Sequence, residues 1–159
     1  MSNTEQKPMR EDIASYINEK VVFTTDSISY RSSATISARL PAIAAAHLNR
    51  VLGAHISIEP DHVFIAESPT SLGNMLGYNL AERGEAILVN RPVYGRFELD
   101  YGIQAGVEIF YANTTVDEAF SPTVVEKYEQ AFQEAGERGV KIRAVLLVNP
   151  HNPVGKAFG

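Results

Sequence analysis

Three short stretches carry side chains whose types and spacing could hold a charged, planar ligand. In Glu67-Ser-Pro-Thr-Ser71 hydroxyls crowd the expected start of a helix. Backbone N–H groups there have no intrahelical partner and favour an anion such as phosphate. Ser and Thr also open helices everywhere, so plain capping gives the same pattern. In Asn90-Arg-Pro-Val-Tyr94 an aromatic follows an apolar run; it can stack on a ligand ring or be a half-packed turn tyrosine. In Asn149-Pro-His-Asn-Pro-Val-Gly155 two Asn-Pro pairs impose an extended, turn-rich path. That path presents Asn152, whose side-chain amide can donate to a ligand oxygen.

The elements that must position these stretches follow from the hydrophobic pattern. Short apolar runs predict strands at Val63–Ala66, Ala86–Val89, Val107–Tyr111 and Ala144–Val148. Helical spacing predicts helices through Ile13 and Ile17, through Leu40 to Leu52, and from Leu72 to Leu80 with an end near Gly84. A short helix is expected over Phe97–Tyr101, and a strongly amphipathic one from Val124 to Ala135. On the second helix, His47 falls on the apolar side and is expected at the core or its boundary. Strands alternating with helices predict a three-layer α/β/α fold with a mainly parallel sheet. In such sheets ligands gather at the carboxyl ends of the strands, and each of the three stretches follows one. The texture changes after Pro60, which divides a helical segment, 1–60, from an α/β segment, 61–159.

Composition narrows the function classes. With 159 residues and a net charge of −5, the chain lacks the basic face that nucleic-acid binding needs. No apolar run approaches the roughly 20 residues that span a bilayer, and Met1 to Arg10 is too polar for a signal peptide. No membrane partner is expected, and the cytoplasm is the default location. There is no cysteine, which removes disulfides, thiolate metal sites and cysteine nucleophiles. His55, His62 and His151 show no metal-ligand spacing, so no metal is expected. Neither Gly-x-Gly-x-x-Gly nor Gly-x-Ser-x-Gly occurs, which disfavours dinucleotide binding and serine hydrolysis. The runs Glu126 to Glu129 and Glu134 to Arg138 read as a solvated helix face.

Taken together, the three stretches resemble those of fold-type I pyridoxal-phosphate enzymes, the class I and II aminotransferases, with the aminocyclopropane-carboxylate-synthase-like branch, particularly fungal members, as the nearest match. Asn149-Pro-His-Asn-Pro-Val-Gly155 is similar to the family's Asn-Pro-x-Asn-Pro-x-Gly. Leu88-Val-Asn-Arg-Pro-Val-Tyr-Gly-Arg-Phe97 is similar to its Leu-Val-x-x-Pro-x-Tyr-x-x-Phe block, and Gly106-Val-Glu-Ile109 also fits. The resemblance implies pyridoxal 5′-phosphate as cofactor, an amino-acid substrate, transaminase or lyase chemistry, and a homodimer. It implies that Ser68, Thr70 and Ser71 meet the cofactor phosphate, that Tyr94 stacks on the pyridine ring, and that Asn152 bonds its phenolic oxygen. Tyr30 corresponds to a tyrosine that reaches a neighbouring subunit's phosphate.

The departures from the family pattern have consequences of their own. Glu67-Ser68 replaces Ala-Gly at the phosphate turn, and a carboxylate ~4 Å from a phosphate costs on the order of 4 kcal/mol at an effective dielectric of about 20. Ile36 and Pro41 stand where relatives have Gly and Arg. None of the five lysines, Lys7, Lys20, Lys127, Lys141 and Lys156, has the Ser-x-x-Lys-type setting of the family's cofactor-binding lysine, so no catalytic residue is assigned. The expectation is therefore an amino-terminal fragment comprising part of the cofactor-binding large domain, inactive and aggregation-prone by itself. The alternative is a non-catalytic remnant, or a binding partner of a full-length homologue.

Overall fold

A computed structural model describes residues 7–28 and 39–158. The chain divides into two compact units, residues 1–65 and 66–159.

The first unit holds α1 (Arg10–Lys20) and α2 (Arg39–Leu52), with 3-10 turns at Lys7–Met9, Thr25–Ile28 and Pro60–His62. Glu11 and Asp12 in the first turn of α1 and Lys20 in its last suit the helix dipole. α2 carries Pro41 in its first turn, where its missing N–H costs nothing, and Gly53 follows at a left-handed φ of 57°. The Asn49 side chain pins the next segment, donating to the Ile58 carbonyl at 2.9 Å and accepting the Ile58 N–H at 2.8 Å. Pro41 and Ala45 are the buried residues of α2, two turns and one turn before Asn49 on the same face. His47 is consequently exposed rather than at the core, with Nδ1 3.2 Å from Arg50 Nη2.

The second unit is a three-layer α/β/α sandwich. Its parallel sheet has strands β1 (Ala86–Asn90), β2 (Glu108–Ala112) and β3 (Ile142–Val145) in the order β2-β1-β3. Every residue of the central strand is buried, as expected for a parallel strand covered on both faces. On one face Ala86 and Leu88 pack with Phe110 and Ala112 against Ala131 and Ala135 of α6 (Val124–Glu137). On the other, Ile87 packs with Val107, Tyr101 and Ala105, and Phe97 leans on the same cluster. That layer contains α3 (Pro69–Leu80) and α4 (Phe97–Gly102). Gly73 and Gly77 let α3 and α4 approach closely. A Cβ at Gly73 would lie 3.2 Å from the Asp100 Cβ and carbonyl oxygen, and one at Gly77 would lie 3.0 Å from the Ala105 Cβ.

Four elements differ from expectation. Val63–Ala66 joins no strand and Phe64 is exposed; an apolar run becomes a strand only where a neighbour completes its hydrogen bonds. The last strand begins two residues earlier than Ala144 and ends at Val145, although the Leu146 N–H still reaches the Leu88 carbonyl at 2.8 Å. A one-turn helix, α5 (Val116–Ala119), was not foreseen. Its capping box between Thr115 and Glu118 is a legible start signal. α3 also stops at Leu80, short of Gly84, because Ala81 turns extended.

Candidate active site

The connection from β1 leads through α4 to β2 on one side, while β3 lies on the other. The carboxyl ends of β1 and β3 therefore flank the point where strand order reverses, the place where sheets of this kind open a binding crevice. The loop after β1 carries Tyr94 and the loop after β3 carries Asn152.

The Glu67–Ser71 turn opens α3. Ser68 is its N-cap in extended conformation, and its Oγ accepts the Ser71 N–H at 3.1 Å. Pro69 contributes no N–H, and the Leu72 N–H goes to the Ser68 carbonyl at 3.0 Å. The Ser68 hydroxyl donates to Ser71 Oγ at 3.2 Å. The Thr70 hydroxyl donates to Asp100 Oδ1 at 2.9 Å. Asp100 was not singled out in the sequence, and no local pattern could have done so, since it meets Thr70 from 30 residues away. Glu67 is exposed, so water screens its charge at the turn.

Tyr94 is partly exposed at 37 % and packs edge-on against Phe97, with ring centroids 5.5 Å apart. Phe97 in turn meets Tyr101 at 6.2 Å. Both belong to α4, the helix that carries Asp100, so α4 ties the Tyr94 turn to the Ser68–Ser71 turn. Tyr101 is pushed above the usual tyrosine range by burial and by the neighbouring Asp100 charge.

Asn152 is exposed in a loop whose shape is fixed by its neighbours. The Asn149–Pro150 and Asn152–Pro153 bonds are cis. The His151 N–H donates to the Lys156 carbonyl at 2.9 Å, its carbonyl accepts the Gly155 N–H at 2.6 Å, and Asn149 Oδ1 accepts the Phe158 N–H at 3.1 Å. His151 is buried at 3 % exposure and packs on Phe120 and Phe158; both its ring nitrogens are without a hydrogen-bond partner among the described residues. Among the described residues no hydrogen bond or ring contact joins Asn152 to Tyr94 or to the Ser68–Ser71 turn, and Tyr30 lies outside the described residues. An apolar cavity of about 590 Å³ lies beside this loop, lined by Phe120, Val124, Val125, Tyr128, Leu147 and Phe158 among others. Asn149, at the start of the third turn, also lines it, but Asn152, Tyr94 and the Ser68–Ser71 turn do not. Among the described residues no cluster of His, Cys, Asp and Glu is placed to hold a metal ion, and no helix is long and apolar enough to cross a membrane.

Residues 42–159 match the family model for aminotransferase class I and II. This chain belongs to that family. A probable aminotransferase of Arabidopsis thaliana is 33% identical over 108 residues, which is 68% of this chain and 22% of the relative. A probable aminotransferase of Aspergillus fumigatus is 31% identical over 138 residues, 82% of this chain and 31% of the relative. The 1-aminocyclopropane-1-carboxylate synthase of Malus domestica is 33% identical over 105 residues, 66% and 22%. The chain thus spans between about a fifth and a third of the length of these curated relatives. In fold it resembles the crystal structure of an archaeal alanine:glyoxylate aminotransferase. The TM-score is 0.69 at 22% identity, covering 97% of this chain and 36% of that one. Aminotransferases of this family depend in general on pyridoxal phosphate.

The chemistry of the donor set fits that group. Neutral hydroxyls at a helix start suit a phosphate, a partly exposed tyrosine suits a planar ring, and an exposed amide suits a phenolic oxygen. Within the turn the Thr70 proton goes to Asp100, the Ser68 proton to Ser71 Oγ and the Ser71 N–H to Ser68 Oγ.

Proposed function

We propose that this chain supplies the cofactor grip of a pyridoxal-phosphate-dependent transaminase or lyase acting on amino acids, through residues 61–159. The reading is supported most by one observation: Tyr94 and Asn152, the two residues matched to the cofactor ring, follow adjacent parallel strands at the reversal of strand order. The Ser68–Ser71 turn holds the phosphate, Tyr94 holds the ring plane, and Asn152 orients the ring by donating to its phenolic oxygen. Tyr30 reaches the phosphate of a second subunit in a homodimer. When bound, the cofactor supplies the electron sink that stabilises negative charge beside the substrate amine.

Titration of the full chain with pyridoxal phosphate, followed by absorbance, tests this. Saturable binding is expected, weakened about tenfold or more in Asn152→Ala, the usual loss for a hydrogen bond to a charged group. Absence of saturable binding, or equal binding by the variant, would sink the proposal.

One observation favours a second reading, that residues 1–159 do not themselves turn over substrate. Lys20 pairs with Glu19, Lys127 with Glu118 at 3.4 Å, and Lys141 with Glu85 at 3.7 Å. Lys156 lies over the Phe120 ring and Lys7 is exposed in a 3-10 turn. None of these settings desolvates an amine into a nucleophile. The chain is then a non-catalytic partner of a full-length homologue, and co-purification with such a homologue distinguishes the two.

A further inference from the structure

The Thr70 hydroxyl has one proton to give, and it goes across to α4, to the Asp100 carboxylate at 2.9 Å. Asp100 is only 6 % exposed. Its approach to α3 is made possible by Gly73, one turn after Thr70 on the same face, where any side chain would meet the Asp100 backbone and Cβ. A phosphate dianion only accepts hydrogen bonds, so the same proton cannot serve both anions. Ser71 is placed differently. Its N–H is taken by Ser68 Oγ, and its own oxygen accepts the Ser68 proton. The Ser71 proton is therefore left for an anion, and the bond it receives polarises it further toward one.

We propose that Asp100 is a positioning residue for the phosphate turn: it holds Thr70, while Ser71 makes the hydroxyl contact to the cofactor phosphate. This rests on the cofactor reading above. It divides between two residues a role that the family resemblance gives to both. It also joins the two halves of the grip, since α4 carries Phe97, the residue against which Tyr94 packs.

The test compares pyridoxal 5′-phosphate with pyridoxal, which lacks the phosphate, as ligands of the full chain. Quenching of tyrosine fluorescence is a suitable signal, since the chain has 7 Tyr and no Trp. The wild type is expected to prefer the phosphorylated ligand. Asp100→Ala and Thr70→Val should each lower that preference about tenfold, the double variant no further, and Ser71→Ala should lower it as well. Asp100→Asn, whose carbonyl still accepts the Thr70 proton, should keep it. A residue that merely stabilised the fold would weaken both ligands equally and leave the preference unmoved.

If Thr70 instead gripped the phosphate directly, Asp100→Ala would free its proton and remove a like charge. The preference would then rise or stay the same, and either result overturns the proposal. A wild-type chain with no preference for the phosphorylated ligand would remove the cofactor reading itself, and this inference with it. Should Asp100→Ala fail to fold, the wild type still decides through the ¹³C signal of the Asp100 carboxyl. That signal is expected to stay in place when pyridoxal phosphate is added. A displacement as large as the one Thr70→Val causes would overturn the assignment.

Discussion

α1 and β1 show two ways in which an apolar pattern can be spent. Ile13 and Ile17 of α1 recur at helical spacing, yet the helix buries no residue and both remain about half exposed. Ala86 to Asn90 of β1 are all buried, with a core cluster on each face. Periodicity sets a helix's geometry, but burial needs a partner surface. A single apolar residue per turn, set among Glu11, Asp12, Asn18 and Glu19, makes too narrow a stripe to hold one. The parallel strand needs no stripe, because helices cover both its faces.

That contrast can be broken most severely at Leu88. It is fully buried, so Leu88→Ala is expected to cost about 2–5 kcal/mol, while Ile13→Ala stays within about 0.5 kcal/mol. Urea unfolding of the two variants measures both, and equal losses would erase the difference between the units. A smaller effect is expected where α3 meets α4. Gly77→Ala places a methyl 3.0 Å from the Ala105 Cβ and 3.3 Å from the Tyr101 carbonyl, which should cost about 1–3 kcal/mol. It should also loosen the Tyr94 turn, visible as a change in tyrosine fluorescence.

The smallest effect belongs to the sheet's amino edge. Glu85 is lowered from the usual 4.5 to about 2. The Arg143 Nε bond at 2.7 Å is the largest cause, and the Glu82 N–H bond at 2.8 Å comes next. Because the folded state lowers this carboxyl, its contribution is complete above about pH 4.5 and fades as pH falls toward about 2. Glu85→Gln should flatten the fall in stability across that window. An unchanged slope would show that the Arg143 and Glu82 bonds do not hold in solution.

Much of the second unit was legible in the sequence, because strands of a covered parallel sheet are rich in apolar residues: Ala86–Val89 and Val107–Tyr111 lie within one residue of the observed strands. The same rule misplaced Val63–Ala66, since pairing depends on a neighbour that the local sequence does not name. His47 was misplaced because the face of α2 that is buried is the one aligned with Asn49, whose bonds to Ile58 lie nine residues away. Of the site, the loops after the strands could be read from Asn-Pro pairs and turn residues. The commitment of Thr70 to Asp100 could not, because it depends on the packing of two helices.

The central claim is that the turns at Ser68–Ser71, Tyr94 and Asn152 receive one ligand, and it is tested most directly by amide NMR of the labelled full chain during a pyridoxal-phosphate titration. Shifts confined to the Thr70 and Ser71 amides, the Tyr94 turn and the Asn152 side-chain amide, saturating together, are the expected result. Shifts centred instead on the apolar cavity beside Phe120 and Val125, with those three turns unmoved, would contradict the account.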